Sequence, residues 1–277
     1  MGFNLYDYNM TKLNFPVGVK PLDFLVSSIQ KERYSETIPG IPGNVDYGFD
    51  YKQRDVTLTF WLRHYHGEYD YLLLQSELNA FLDSEPFFYA STSDLPTRVL
   101  KITIDDTFIP DRILGSMYAK MEVKAHVTGI PFWQSRFTTQ HLEKYGYDAN
   151  SELFGSADGI NIDCLDYSFT TNEFNIWNGG SMDLDPRNMY IKYILNNVTT
   201  SGGLTIENTT TGEKFIYNQP LSSQTLTVNQ TKVNVGVANR LRDSNRDFPT
   251  LKKGLNHFKI TNGTFSNVDI DFRYVYK

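Results

Sequence analysis

"TIPGIPGNVDYGFDYKQRDVTLTFWL", residues 37–62, decides the fold because two kinds of text meet in it. Its first half gathers Pro39, Gly40, Pro42, Gly43 and Gly48, a composition that breaks helices and regular strands and so predicts a turn-rich arm. Its second half alternates, with Val56, Leu58, Phe60 and Leu62 on one side and Asp55, Thr57, Thr59 and Trp61 on the other. That period of two predicts a strand with one buried face.

The segments that follow complete a sheet. "RVLKITI" (98–104) puts Leu100, Ile102 and Ile104 on one face, and "MYAKMEVKAHV" (117–127) turns Met117, Ala119, Met121, Val123, Ala125 and Val127 inward. The two predict a long hairpin whose loop holds "DDTFIPDRILG". Ahead of them, Tyr71, Leu74, Leu78 and Phe81 recur at helical spacing, which predicts a helix from about Glu68 to Asp83, ended by Ser84-Glu85-Pro86. Strand, helix and hairpin make an α+β domain with one helix covering a sheet, expected to span residues 1–135 and to close on "GIPFWQS".

Beyond it the text changes. Asn, Thr, Ser and Gly rise, charge thins and no helical period appears. "NMYIKYIL", "GLTIEN", "EKFIYN", "TLTVN", "KVNVGVA", "NHFKIT" and "VDIDFRYVYK" follow at the spacing of sandwich strands, and Gly212 suits the turn of "IENTTTGEKFIYN". The expected fold class is therefore mainly β: the α+β domain, then a β-sandwich over 136–277 whose last strand is free to return to the first domain.

Bulk properties narrow the function. Apolar residues are 40% and aromatics 14% of the 277 residues, with 19 Phe and 18 Tyr, a core chemistry suited to sheets. The net charge of −6 and a pI of about 5.4 argue against a grip on nucleic acid, since the most basic run, "NRLRDSNRDF" with "LKKG" after it, interleaves acids with its arginines. The single cysteine, Cys164, excludes an intrachain disulfide and a Cys-rich metal site. No signal-peptide pattern and no apolar run of membrane length occurs, so synthesis in a cytoplasm is expected. The five Asn-X-Ser/Thr sequons then report composition only, and Tyr6 stands where myristoylation needs Ser or Thr.

Candidate chemistry is sparse. His64 and His66, with Glu68 and Asp70 after them, have the donor types for Zn²⁺ or Fe²⁺, but they sit where strand hands over to helix and a turn would scatter them. Cys164 as a nucleophile needs a base such as His141, while its neighbours Asp163 and Asp166 would raise its pKa. The carboxylate pairs Asp105-Asp106 and Asp183-Asp185 are what a glycosidase or a Ca²⁺ site needs, yet such pairs are also ordinary turn residues. Phe169, Phe174, Trp177, Tyr190 and Tyr193 could form a sugar-stacking platform or simply a sandwich core. No phosphate loop, Gly-x-Ser-x-Gly elbow or dinucleotide fingerprint occurs, so no enzyme activity and no cofactor are expected.

The order of these features resembles the distal tail proteins of long-tailed, non-contractile bacteriophages of mostly Gram-positive hosts. In that family a Pro-Gly-x-x-Gly segment precedes a Tyr and an Arg leading into an amphipathic strand, as Pro39, Gly40, Pro42, Gly43, Tyr51 and Arg54 do here. The first domain closes on a Pro-aromatic signature, matched by Pro131, Phe132 and Trp133. Near the C-terminus a Leu, a Gly and an Asn two residues on are matched by Leu251, Gly254 and Asn256. Ile41-Pro42 stand where the family often has Arg-Asp, so the polar contacts of that loop do not carry over.

The resemblance implies a homo-hexameric hub ring at the distal end of the virion tail, formed by the N-terminal domains and joining the tail tube to the baseplate or tip. It implies a galectin-like second domain that docks receptor-binding or other baseplate proteins, and as further partners the tail tube protein and a tail-associated hub or lysin-type protein. DNA would pass through the lumen without specific binding, which an acidic subunit suits. The arm, residues 36–54, is expected to contact an adjacent subunit or ring, and the strand and hairpin beyond it to pair or pack across the boundary. The galectin sugar set, His-Asn-x-Arg followed by Trp and Glu, is absent, since "FNIWNGG" has the Trp alone. The alternative is a carbohydrate- or receptor-binding β protein of the adhesion device.

Overall fold

A computed structural model describes residues 2–147 and 154–277, which pack as two compact units, Met1–Trp133 and Gln134–Lys277. The first unit contains β1 (Phe3–Tyr6), β2 (Val19–Val26), β3 (Lys31–Glu36), β4 (Val45–Tyr51), β5 (Asp55–Arg63), α1 (Glu68–Leu82), β6 (Phe88–Thr92), β7 (Arg98–Thr103), β8 (Asp111–Arg112) and β9 (Tyr118–Val127). Its main sheet runs β1-β6-β7-β9-β5-β2, antiparallel throughout.

The alternation read from the sequence holds. Val56, Leu58, Phe60 and Leu62 of β5 and Ala119, Met121, Val123, Ala125 and Val127 of β9 are buried, and Tyr71, Leu74, Leu78 and Leu82 of α1 join the same cluster. Phe3, Phe15 and Phe60 meet edge to face in that core, where each ring removes a large apolar area from water.

Three expectations change. Met117 is exposed, because β9 starts one residue after it. The long hairpin is split: β7 meets β9 only at Ile102↔Val127 and Thr103↔His126, and β8 pairs with β9 at Asp111↔Lys120. The full-length neighbour of β9 is β5, from Asp55↔His126 to Arg63↔Tyr118. Since β5 also pairs with β2 along Val19↔Leu62 to Val26↔Val56, both its edges are filled and it has no edge to offer a second subunit.

Among its described residues the second unit carries, besides strands, α2 (Thr139–Tyr145) and two short 3-10 turns. After β10 (Trp133–Ser135), at the boundary, come β11 (Ser168–Phe169), β12 (Glu173–Asn178), β13 (Ile191–Thr200), β14 (Leu204–Asn208), β15 (Glu213–Tyr217), β16 (Leu221–Asn229), β17 (Lys232–Val235), β18 (Ala238–Asn239), β19 (Gly254–Thr261), β20 (Asn267–Phe272) and β21 (Val275–Tyr276). Strands β11 to β20 form a six-stranded sheet, β11-β20-β13-β16-β17-β18, and a four-stranded one, β12-β19-β14-β15. Side chains from the two sheets meet between them, as the Tyr193 and Phe258 rings do with centroids 6.0 Å apart.

Helix α2 corrects the expectation that no helix follows residue 135. It is short and held by tertiary bonds: the Thr139 hydroxyl donates to Ile270 O at 3.1 Å and accepts from Phe272 N at 3.1 Å. The last strand, β21, pairs with β10, while Val275 O accepts from Ser181 N at 2.9 Å and the Tyr276 hydroxyl donates to Asp158 O at 2.9 Å.

Buried tyrosines make this unit sensitive to alkali. The Tyr167 and Tyr274 hydroxyls lie 2.7 Å apart; burial drives Tyr167 far above the ordinary phenol range and pushes Tyr274 up to about 12. Burial likewise raises Tyr190 and Tyr193. In the unfolded chain these phenols lose their protons near their ordinary value, so above it the unfolded state binds fewer protons and stability falls as pH rises. The unit's melting temperature should drop steadily from about pH 9 to about pH 12, and Tyr167→Phe should make the decline shallower. An unchanged slope would contradict this assignment.

Candidate functional site: the arm and its root

The turn-rich segment is the tip of a two-stranded hairpin. β3 is exposed at every residue, and β4 pairs with it from Lys31↔Tyr51 to Glu36↔Val45. The expectation that the first half of residues 37–62 forms no regular strand is corrected where it enters β4, Val45–Tyr51. Between Arg33↔Phe49 and Ser35↔Asp46 the register shifts, so Tyr34 faces both Tyr47 and Gly48. Gly48 has φ +98, the left-handed conformation that such a bulge requires, and its N–H donates to Asp46 Oδ1 at 2.9 Å. Pro39, Gly40, Pro42 and Gly43 form the loop joining the strands, with the Thr37 hydroxyl donating to Asn44 Oδ1 at 2.8 Å beneath it.

Cross-strand pairs replace a core. Arg33 pairs with Asp46, Lys52 with Glu32 at 2.5 Å, and the Tyr34 hydroxyl lies 3.0 Å from Asp50 Oδ2 and 3.1 Å from Glu32 Oε2. The Lys31 ammonium sits 4.6 Å from the centre of the Phe49 ring. Bonding to Lys52 holds Glu32 below the usual carboxylate range, the Gly48 N–H and then Arg33 do the same for Asp46, and the bond to Asp50 raises Tyr34. The charges of the arm are thus largely neutralised within it, while Tyr34, Ile41, Tyr47 and Phe49 remain exposed.

The root is fixed by residues distant in sequence. The Arg54 guanidinium donates through Nε to Pro131 O at 2.7 Å and through Nη1 to Ser27 O at 3.4 Å, and partial burial lowers its pKa without threatening its charge. Tyr51 meets Phe132 edge to face at 5.2 Å, and Trp133 meets Phe24 of β2 at 5.8 Å. Tyr51 and Arg54 therefore clasp Pro131, Phe132 and Trp133, two sequence motifs brought together at the base of the arm. Arg54→Ala should destabilise the first unit by about 1–3 kcal/mol, and Arg54→Lys should restore only part, because an ammonium lacks the forked donors. Urea unfolding reads both, and a variant as stable as the parent would contradict the role of the clasp.

The third motif is separate and structural. Leu251 is fully buried and exchanges backbone bonds with Leu184 at 2.8 and 3.0 Å. Asn256, also fully buried, accepts from Lys252 N at 2.8 Å and Asn208 Nδ2 at 3.1 Å, and donates to Lys252 O at 2.8 Å and Gly254 O at 3.1 Å. It ties the loop entering β19 to β14.

The other candidates go to different partners. Asp70 Oδ2 accepts from Tyr65 N at 2.7 Å and His66 N at 3.0 Å, Glu68 pairs with Arg112, and His64 is buried against Tyr71. Among the described residues no cluster of three or more His, Cys, Asp or Glu side chains is placed to hold a metal ion. His141 is stacked between Phe137 and Tyr145, and burial lowers its pKa; Cys164 is half-buried, and its N–H donates to Asn161 O at 3.1 Å. Asp105 accepts from Thr103, Asp106 lies 3.2 Å from His126, Asp183 holds Lys252 and the Lys253 N–H, and Asp185 pairs with Arg187. Of the aromatic set, Phe174 and Tyr193 are core, and the half-exposed Phe169 stacks on Phe174 at 4.4 Å. Trp177 and Tyr190, also half-exposed, have their polar ends occupied by Gly159 O and Asp271.

The family model described as a phage tail protein RIFT-related domain matches residues 8–124, the span that holds the arm and the sheet that carries it. Over residues 8–124 the chain resembles a phage tail domain. No curated protein matches the chain by sequence. Among solved structures, the Dit (gp 19.1) protein of phage SPP1, described as a paradigm of the hub adsorption apparatus in phages infecting Gram-positive hosts, matches with a TM-score of 0.70 over 100% of each chain at 13% identity. A chain of the phage p2 baseplate, in its activated conformation with Sr, matches with a TM-score of 0.50 at 9% identity, covering 98% of this chain and 97% of that one. The whole chain has the fold of a siphophage distal tail protein, and the resemblance read from its motifs holds.

Proposed function

We propose that this phage tail protein is a non-enzymatic structural subunit, whose copies form a hexameric hub ring connecting the tail tube to the baseplate or tail tip. Residues 1–135 form the ring and residues 136–277 dock receptor-binding or other baseplate components. A tail tube protein and a tail-associated hub protein cover its two faces, and DNA passes through without specific contacts.

The observation that carries this reading is the arm. A two-stranded hairpin exposed on both faces is marginal in water by itself, yet this one is clamped at its root by Arg54 and bears four exposed apolar or aromatic side chains. Such an element gains stability by lying on another surface. A closed ring of identical subunits supplies that surface at every position. Negative-stain images of concentrated untagged protein should show six-fold rings with a central hole; single protomers at every concentration would count against self-assembly.

A further inference from the structure

The basic run over residues 239–248, too interleaved with acids to grip nucleic acid, takes a defined place in the second unit. Strand β15 ends the four-stranded sheet and β18 the six-stranded one, and the chain crosses from β18 to the edge of β15 through the 3-10 turn Leu241–Asp243. The crossing is pinned on both sides. Arg240 N donates to Val233 O at 2.7 Å, Asn218 N to Asp243 O at 2.8 Å and Asn245 N to Ile216 O at 3.0 Å. The backbone of the turn is thus fixed before any ligand arrives.

Against this turn lies an open cleft of about 530 Å³, within the roughly 300–1,000 Å³ usual for small-molecule sites. Leu221, Val235 and Ala238 give it an apolar lining, and Gln219 and Gln224 add two carboxamides. Arg240 and Arg242 complete it around one carboxylate, Asp243. Arg240 Nη1 and Arg242 Nε each lie 3.8 Å from that carboxylate, beyond hydrogen-bond reach. Two guanidinium groups against one acid leave the cleft positive, with their donors unspent. Among the described residues no hydrogen bond uses either carboxamide. Burial and then Asp243 raise the Tyr217 phenol, against the pull of Arg240, so Tyr217 lines the cleft protonated.

The geometry points to a binding site for an anionic carbohydrate, a sugar or polyol that carries a phosphate or a carboxylate. The arginines supply forked donors for the anionic group. Hydroxyls need donors and acceptors side by side, which the two carboxamides, the Tyr217 hydroxyl and Asp243 provide. The C–H face of a sugar covers Leu221, Val235 and Ala238. An acidic peptide fits less well, because its repeated carboxylates would crowd Asp243 with like charge, whereas a sugar hydroxyl donates to it. The site shares no residue with the aromatic set Phe169, Phe174, Trp177, Tyr190 and Tyr193. It lies wholly within the second unit and depends neither on ring formation nor on a docked baseplate protein.

Saturation-transfer NMR on the untagged full chain tests this, with glucose 1-phosphate and glucuronate as probes and glucose, inorganic phosphate and tetraglutamate as controls. The ring protons of at least one charged sugar should receive saturation, and those of glucose should not. Arg242→Gln alone, and Arg240→Gln with Arg242→Gln, should weaken that binding by about tenfold or more, the effect of losing charge-assisted hydrogen bonds. The two side chains are 44% and 78% exposed, and melting temperatures near the parent's establish that the variants fold. Absence of transfer to both charged sugars would overturn the inference, as would undiminished binding by the folded variants. Displacement of the sugar by an equal concentration of inorganic phosphate would reduce the cleft to an ion site. Displacement by tetraglutamate would give it to an acidic protein segment, and either result overturns the carbohydrate assignment.

Discussion

Replacing Glu32–Asp50 by Asn-Gly should leave a folded protein that has lost its ability to form rings. Lys31 and Tyr51 are direct partners at the root, so a two-residue turn can join them without moving either strand end. Tyr51 keeps its contact with Phe132, and Arg54 keeps Pro131 O. What is removed is exposed along most of its length and belongs to neither of the buried clusters of the first unit. Changes at such positions usually alter stability by no more than about 0.5 kcal/mol, so the melting temperature should stay within a few degrees. Assembly should change completely, because each subunit boundary would lose the element proposed to cross it. Intact rings from this variant would refute the role given to residues 36–54.

The largest effect on stability is expected at Asn256. Its carboxamide makes four hydrogen bonds from a fully buried position, two accepted and two donated. Asn256→Ala leaves Lys252 N and Asn208 Nδ2 without an acceptor, and the carbonyls of Lys252 and Gly254 without this donor, all in a site that water reaches poorly. Each stranded buried group costs about 1–3 kcal/mol, so a total of about 3–5 kcal/mol is reasonable after local relaxation. For a unit of this size the melting temperature should fall by roughly 10–15 °C. Asn256→Asp should not rescue it: the carboxylate keeps both acceptor bonds but turns a negative charge toward two carbonyl oxygens. Calorimetry separates these outcomes, and a loss below about 1 kcal/mol would show that water replaces the side chain.

How much of this was legible depended on which elements bury one face. β5 and β9 were, because their alternate residues enter the core and polar residues line the other side. α1 was read from Tyr71, Leu74, Leu78 and Phe81, but a search for one apolar stripe passes over Tyr69, Leu72 and Leu73, which lie off it. β3, "KERYSE", was not legible at all: it is exposed throughout and held to β4 by backbone pairing and the Arg33–Asp46 ion pair, so no hydrophobic period exists to find. α2 was missed because its seven residues are fixed by Thr139 bonding to β20, 131 residues away in sequence. A Thr ahead of the run and Gly146 after it were the available signs.

The site divides in the same way. The order of Tyr51 and Arg54, then Pro131, Phe132 and Trp133, was in the sequence, but not the contact between them, which spans 77 residues from Arg54 to Pro131. Leu251, Gly254 and Asn256 stood beside them as motif positions; the burial of Leu251 and Asn256 and the positive φ of Gly254 give them a folding role distinct from the arm. At the handover from strand to helix, Asp70 turns back to the backbone of residues 65 and 66 and Glu68 pairs with Arg112, engagements that residue types alone do not reveal.

The most direct test of the central claim, that the arm of one copy lies on another, is isotope-resolved photo-crosslinking from its tip. A benzoylphenylalanine placed at Ile41, half exposed in the loop, would be carried by unlabelled protein mixed with an equal amount of ¹⁵N-labelled parent and illuminated in the assembled state. The account predicts cross-linked peptides that join a light arm to a heavy first unit. Links found only within single copies, from protein that is assembled, would contradict it.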